Sequence, residues 1–169
     1  QIKEICNNCS VPIEVFVHGA LCVSYSGRCY LSQALANRSA NRGECAQFCR
    51  LSYNLEDADG NTLVKDKHLL SLKDMNRSNS IEALLDAGVT SLKIEGRLKD
   101  IEYVKNITAH YRAILDEIFI RRKEYVAASS GKTRVNFTPN PYKSFNRGFT
   151  PYYAGDKSFN NIASINTPK

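Results

Sequence analysis

Apolar residues fall along this chain in short blocks whose spacing changes from one stretch to the next. Ile2 and Ile5 lie three apart within residues 1–7, as in the end of a helix. Residues 13–17 form an apolar run that stops at His18-Gly19, the pattern of a buried strand ending in a glycine turn. Residues 19–50 are a long connection of small and polar residues without strong periodicity. Connections of that length are usually functional or disordered. Residues 51–56 and 62–65 flank Asp57-Ala58-Asp59-Gly60 and predict a small hairpin. Ser80 precedes Ile81, Leu84, Leu85 and Ala87 at helical spacing, with Gly88 placed to end that helix. Residues 91–94 predict a second buried strand, closing at Glu95-Gly96-Arg97. From Asp100, a good N-cap, Val104, Ile107, Tyr111, Ile114, Leu115, Ile118 and Phe119 make one stripe. That helix is predicted to run to about Val126, with Arg121, Arg122 and Lys123 where cations favour the dipole. Beyond Ser129, prolines at 139, 141, 151 and 168 predict an irregular arm.

Strand, loop, helix, strand, helix is the rhythm of parallel α/β structure, a (β/α)8 barrel or a doubly wound sheet. Two strands cannot complete such a sheet, so the stretch is expected to be the end of a larger domain or to pair with a second copy as a homodimer. No apolar run approaches about 18 residues and no basic-then-apolar leader is present, which predicts a soluble, cytoplasmic protein without a membrane span.

Composition narrows the class: 43% hydrophobic and 24% charged residues in 169 exclude a wholly disordered, collagenous or coiled-coil chain. Charge divides it. Residues 1–119 carry 14 basic and 15 acidic groups, whereas residues 120–169 carry nine basic against two acidic, so the whole excess is C-terminal. Half of the sixteen aromatics lie in that same stretch. Arg121, Arg122, Lys143 and Arg147 with Tyr142, Phe145 and Phe149 are candidates to grip phosphates and stack bases of an RNA. A solvated connector whose aromatics pack onto its parent domain is the plainer alternative.

The strongest chemical signal is Cys22, six residues, Cys29, fifteen residues, Cys45, three residues, Cys49. Four thiols within 28 positions, separated by flexible residues such as Gly27 and Gly43, can converge on one centre. Thiolates select zinc or an iron–sulfur cluster, and the absence of two close Cys-x2-Cys knuckles favours [4Fe-4S] over zinc. Cys6-Asn-Asn-Cys9 has ligand spacing but is a weaker signal. His18 follows a strand and precedes the cysteine loop, which makes it the best placed of the three histidines. Glu95 and Arg97 follow the second strand, where barrel chemistry resides; a structural ion pair is the alternative. Neither His-Glu-x-x-His nor Gly-x-Ser-x-Gly occurs, and no glycine-rich phosphate loop is present.

The run Glu14-Val-Phe-Val-His18-Gly-Ala-Leu-Cys22-Val-Ser-Tyr-Ser-Gly27-Arg-Cys29-Tyr-Leu-Ser32 resembles the signature of the peptidase U32 family, the collagenase-like proteases. Lys93-Ile-Glu-Gly-Arg97, Tyr111-Arg112 and Ser144-Phe-Asn-Arg-Gly-Phe-Thr150 resemble it too, so the likeness covers nearly the whole chain. The resemblance implies an α/β fold in which residues 1–127 are the C-terminal portion of a (β/α)8-type barrel, with a cysteine-rich insertion over 19–50 and a long helix, followed by a connector arm over 128–169. It implies a stretch that is inactive alone. Within the family, Arg38-Ser-Ala-Asn-Arg-Gly-Glu-Cys45-Ala-Gln-Phe-Cys49-Arg50 is similar to the branch that hydroxylates a cytidine of large ribosomal RNA, with Phe48 in place of the proline common there. That branch implies a [4Fe-4S] cluster on Cys22, Cys29, Cys45 and Cys49, ribosomal RNA as partner, and in some members dependence on prephenate. Peptidase action on collagen-like or other peptides is the alternative that the family name carries.

Overall fold

The computed structural model describes residues 1–154 and 162–165; the remainder of the expected arm lies outside these residues. In chain order the elements are α1 (Ile2–Asn8), β1 (Glu14–Gly19), α2 (Leu31–Ala36), β2 (Tyr53–Glu56), β3 (Thr62–Lys67), β4 (Asp74–Asn76), α3 (Ile81–Asp86), β5 (Ser91–Ile94), α4 (Ile101–Arg121) and β6 (Phe149–Thr150). They form a mixed α/β structure in two compact units, Gln1–Gly19 with Met75–Asn146, and Ala20–Asp74 with the described residues from Arg147 on. Among the described residues no helix is long and apolar enough to cross a membrane.

In the first unit β1 pairs in parallel with β5, Glu14 opposite Ser91 and His18 opposite Ile94, with a register shift between Phe16 and His18. On its other side β1 pairs antiparallel with β4, His18 opposite Asn76 and Gly19 opposite Met75. The sequence pattern missed this neighbour because Asp-Met-Asn is three residues long and carries no alternation. The core joins Val17, Ile81, Leu84, Val89, Tyr103, Ile107, Tyr111 and Ile118, with Cys6, Ile114, Leu115 and Phe119 packed against it. The buried stripe of α4 begins at Tyr103 rather than at Val104, which is 46% exposed.

Asp100 caps α4 as expected, its Oδ1 accepting the Tyr103 N–H at 2.7 Å. The helix stops at Arg121, short of the expected Val126. Tertiary partners end it: Arg122 reaches Glu82, Asp86 and Glu124, and the Tyr125 hydroxyl donates to Asp86 at 2.6 Å. Two glycines are required by close approach. A Cβ on Gly19 (φ +115°) would stand 2.7 Å from the Glu95 carbonyl oxygen, and one on Gly88 (φ +93°) 3.1 Å from Cys6 Cβ.

The second unit contains the predicted β2–β3 hairpin, Tyr53 opposite Lys67 and Glu56 opposite Thr62. Its turn is held by Asp57 Oδ1, which accepts the N–H groups of Asp59 and Asn61 at 3.0 and 2.8 Å. Residues 162–165 run beside 68–73: the N–H of His68 donates to the Ile165 carbonyl at 3.1 Å, that of Lys73 to the Ile162 carbonyl at 2.9 Å. β6 is preceded by Gly148, whose carbonyl accepts the Asp74 N–H at 2.9 Å.

Candidate functional site

Cys22, Cys29, Cys45 and Cys49 all lie in the second unit and all are free thiols. Their loop is turned by left-handed backbone at Asn37 (φ 56°), Gly43 (φ 90°) and Gln47 (φ 57°), around the short helix α2. Hydrogen bonds fix the turns: the Ala46 N–H donates to Oγ of buried Ser32 at 3.0 Å, and the Cys29 N–H to Asn41 Oδ1 at 3.3 Å. Burial pushes the Cys49 thiol up, the Arg50 charge pulls it down, and Cys45, Cys22 and Cys29 push it up again. Among the described residues no group of three or more His, Cys, Asp or Glu side chains is gathered closely enough to hold a metal ion.

Arg50 organises this loop. It is 6% exposed; its Nη1 donates to Ser71 Oγ at 3.1 Å and to the Leu72 carbonyl at 2.9 Å, and its Nη2 donates to the Leu21 carbonyl. One guanidinium thus ties the residue before Cys22 to the residue after Cys49. His68 Nδ1 meets the Arg50 carbonyl at 2.9 Å, and the Tyr53 hydroxyl donates to the Phe48 carbonyl at 2.7 Å. The sequence reading passed over Arg50; its position directly after the last cysteine was the available signal. The donor set suits a tetrathiolate centre: four soft ligands concentrate negative charge, and the buried Arg50 cation acts on Cys49 and Cys22.

In the first unit the register shift of β1 buries two consecutive side chains, Val17 at 0% and His18 at 2% exposure. His18 Nδ1 lies 3.2 Å from the Tyr111 hydroxyl. That hydroxyl has a single proton, donated to the Val17 carbonyl at 2.9 Å with Asn76 Oδ1 at 3.3 Å. With that proton on the Val17 carbonyl the phenol oxygen accepts from His18, an arrangement that pairs with the tautomer protonated at Nδ1 and leaves Nε2 as the acceptor nitrogen. The same bookkeeping continues outward: Ser78 Oγ donates to Asn76 Oδ1 at 2.5 Å and accepts from His110 Nε2 at 2.8 Å. Burial, then the charges of His110 and Lys99, push His18 down to about 4, so its imidazole is neutral at physiological pH.

The β1–β5 pairing brings Glu95 to the end of the same strand, its N–H donating to the His18 carbonyl at 2.8 Å. The Glu95 carbonyl accepts from the Tyr103 hydroxyl at 3.1 Å, and its Oε1 accepts the Arg97 N–H at 2.8 Å. Arg97 itself is exposed. Cys6 and Cys9 are both in this unit, Cys6 packed beside Gly88 and Cys9 exposed.

The basic and aromatic candidates differ in their surroundings. Arg147 requires a correction: it is 6% exposed, its Nη1 3.4 Å from Asp74 Oδ1 and its N–H donating to Asp74 Oδ2 at 3.3 Å, a buried ion pair rather than a phosphate contact. Phe149 is half-buried in β6. Arg121 and Arg122 are bound into a carboxylate network with Glu82, Asp86 and Glu124, at distances of 2.6 to 2.9 Å. Tyr142, Lys143 and Phe145 are exposed, at 72% for Tyr142 and 50% for Phe145.

The chain belongs to peptidase family U32, whose family profile matches residues 1–163. It is 50% identical over its full length to the 23S rRNA 5-hydroxycytidine C2501 synthase of Escherichia coli (strain K12), of which it spans 26%. It is 38% identical over 75% of its length to the tRNA hydroxylation protein P1 of Bacillus subtilis (strain 168), of which it spans 33%. A collagenase of Porphyromonas gingivalis is 38% identical over 87% of the chain, which spans 39% of that protein. The chain thus spans roughly a quarter to two fifths of these relatives. No solved structure matches it.

Proposed function

We propose that this chain is the cluster-bearing part of an RNA base hydroxylase that acts on ribosomal RNA, with Cys22, Cys29, Cys45 and Cys49 holding a [4Fe-4S] cluster. The observation that carries the reading is the set of four free thiols on one loop whose two ends are tied by the buried Arg50 guanidinium. When bound, the cluster supplies one-electron chemistry to the oxidation of the base. Arg50 fixes both ends of the ligand loop and offsets thiolate charge, while the Asp74–Arg147 pair keeps a second cation buried in the same unit. In the first unit Tyr111 keeps the His18 proton on Nδ1, which leaves Nε2 as a base or hydrogen-bond acceptor. We read β1 and β5 as adjacent parallel strands of a (β/α)8-type barrel, with His18 and Glu95 at its mouth.

A peptidase is the second reading, favoured by the collagenase relatives. Full-length protein prepared anaerobically separates the two. The hydroxylase reading expects stoichiometric iron and sulfide that Cys22→Ser and Cys45→Ser each abolish. It also expects loss of hydroxylated cytidine, read by mass spectrometry, from ribosomal RNA of cells carrying either variant. Metal-free protein that cleaves denatured collagen while the RNA modification persists in those variants overturns it.

A further inference from the structure

We propose that RNA is engaged on the first unit by a surface formed where the loop after β5 meets the segment 142–145, with Arg97, Lys99 and Lys143 taking phosphates and Tyr142 and Phe145 stacking bases. This rests on the RNA reading above and relocates the contact away from the C-terminal arginines of α4.

Three observations assemble the surface. Asn106 on α4 clamps the segment in place: its Nδ2 donates to the Asn140 carbonyl at 2.8 Å and to Ser144 Oγ at 2.6 Å, and its Oδ1 accepts the Asn140 N–H at 2.8 Å. Lys99 bridges the two pieces, its Nζ 4.3 Å from the Phe145 ring centre and 5.2 Å from that of Tyr103. The loop is pre-shaped by its own bonds, the Arg97 N–H to Glu95 Oε1 at 2.8 Å and the Lys99 N–H to the Gly96 carbonyl at 3.1 Å. Between them Leu98 is held in left-handed backbone (φ 61°) and is 87% exposed, a strained placement for a leucine.

Charge decides the occupant. Among the described residues neither Arg97 nor Lys143 has a carboxylate within ion-pairing distance, and the acidic groups nearby are engaged: Asp100 caps α4 and Glu102 pairs with Lys105 at 3.0 Å. At the other end of α4 the position is reversed, since Glu82, Asp86 and Glu124 already neutralise Arg121 and Arg122. Exposed cations interleaved with exposed aromatic rings suit a single-stranded nucleic acid better than an acidic protein, which would leave Tyr142 and Phe145 without a role.

The test titrates full-length protein with a 23S rRNA fragment containing the cytidine for which the E. coli relative is named. Tyr142→Ala and Phe145→Ala are expected to weaken binding about 5- to 100-fold each. Arg97→Ala combined with Lys143→Ala should reduce the magnitude of the salt slope by about two. Arg121→Ala should change affinity by less than about twofold, as an exposed residue spent on a surface ion pair. Ultraviolet crosslinking of the unaltered protein, read by mass spectrometry, should mark Tyr142 or Phe145 and needs no variant to fold. Wild-type protein that fails to bind the RNA overturns the RNA reading and this surface with it. Tight binding that survives all these variants, with crosslinks elsewhere, overturns the surface alone, as does loss of a protein partner in the variants at unchanged RNA affinity.

Discussion

The first unit buries Val17, Ile81, Leu84, Val89, Ile107 and Ile118 in one apolar cluster, whereas the second buries Ser32, Arg50, Ser71, Asp74, Arg147, Thr150 and Ser164. The two interiors draw on different physics. A buried aliphatic side chain contributes about 1.5 to 3 kcal/mol through area alone, and its neighbours tolerate small shifts. A hydrogen bond nets only about 0.5 to 1.5 kcal/mol, but a buried polar group left without its partner costs about 1 to 3. The first unit therefore has the means to hold its shape unaided. The second is specified sharply by its polar contacts and stabilised weakly by them.

The sharpest way to break this contrast is Arg50→Met. Three acceptors, Leu21 O, Leu72 O and Ser71 Oγ, lose their donor together, at an expected cost of about 4 kcal/mol. Hydrogen exchange on full-length protein should show protection lost across residues 20–74 and retained across 75–146; uniform loss in both would mean that the units are not independent in stability. Ile107→Ala is the mirror experiment. The side chain is fully buried, and its truncation should cost about 3 kcal/mol through the cavity left behind, with protection lost first in residues 75–146.

Acid probes the polar element inside the apolar unit. His18 binds its proton only at about pH 4 in the folded state, against about 6.5 unfolded, so the unfolded chain takes up the proton first as pH falls. Stability from this group is fully present above pH 6.5, declines between 6.5 and 4, and is level below that, for a total of up to about 3 kcal/mol. Burial pushes His110 in the same direction. His18 is faced by Tyr111 and Tyr103 from α4, by His110 and by Lys99, and the two cationic neighbours push it the same way as burial. Thermal unfolding at pH 7 and pH 4.5 should show a larger drop for wild type than for His18→Gln; equal drops would place the acid sensitivity elsewhere.

What could be read from the chain follows the same divide. Strand Ser91–Ile94, helix α3 and the Asp100 cap were legible because apolar periodicity and capping chemistry are local. The end of α4 was not, because Arg122 and Tyr125 are drawn off by Glu82 and Asp86, about forty positions earlier. Composition counted Arg121, Arg122 and Arg147 as equal positive charges; only the fold shows that Asp74 lies 73 positions from Arg147 and buries with it. The cysteine spacing announced its loop, but the place of Arg50 directly after the last cysteine did not show that Leu21, Ser71 and Leu72 converge on it. Likewise His18 was singled out by position, while its proton state depends on Tyr111, 93 positions away.

The second unit is assembled from two separated lengths of chain, and this has a consequence for its synthesis. Its four thiols and Asp74 leave the ribosome before the first unit is finished, yet the Arg147 that completes the buried pair follows 73 residues later and Ser164, the partner of Ser71, 93 residues later. At elongation rates of about 5 to 20 residues per second the Arg147 gap alone lasts about 4 to 15 seconds. During that interval the nascent cysteine loop is made but not yet locked, and its free thiols stand open to oxidation while translation is still under way.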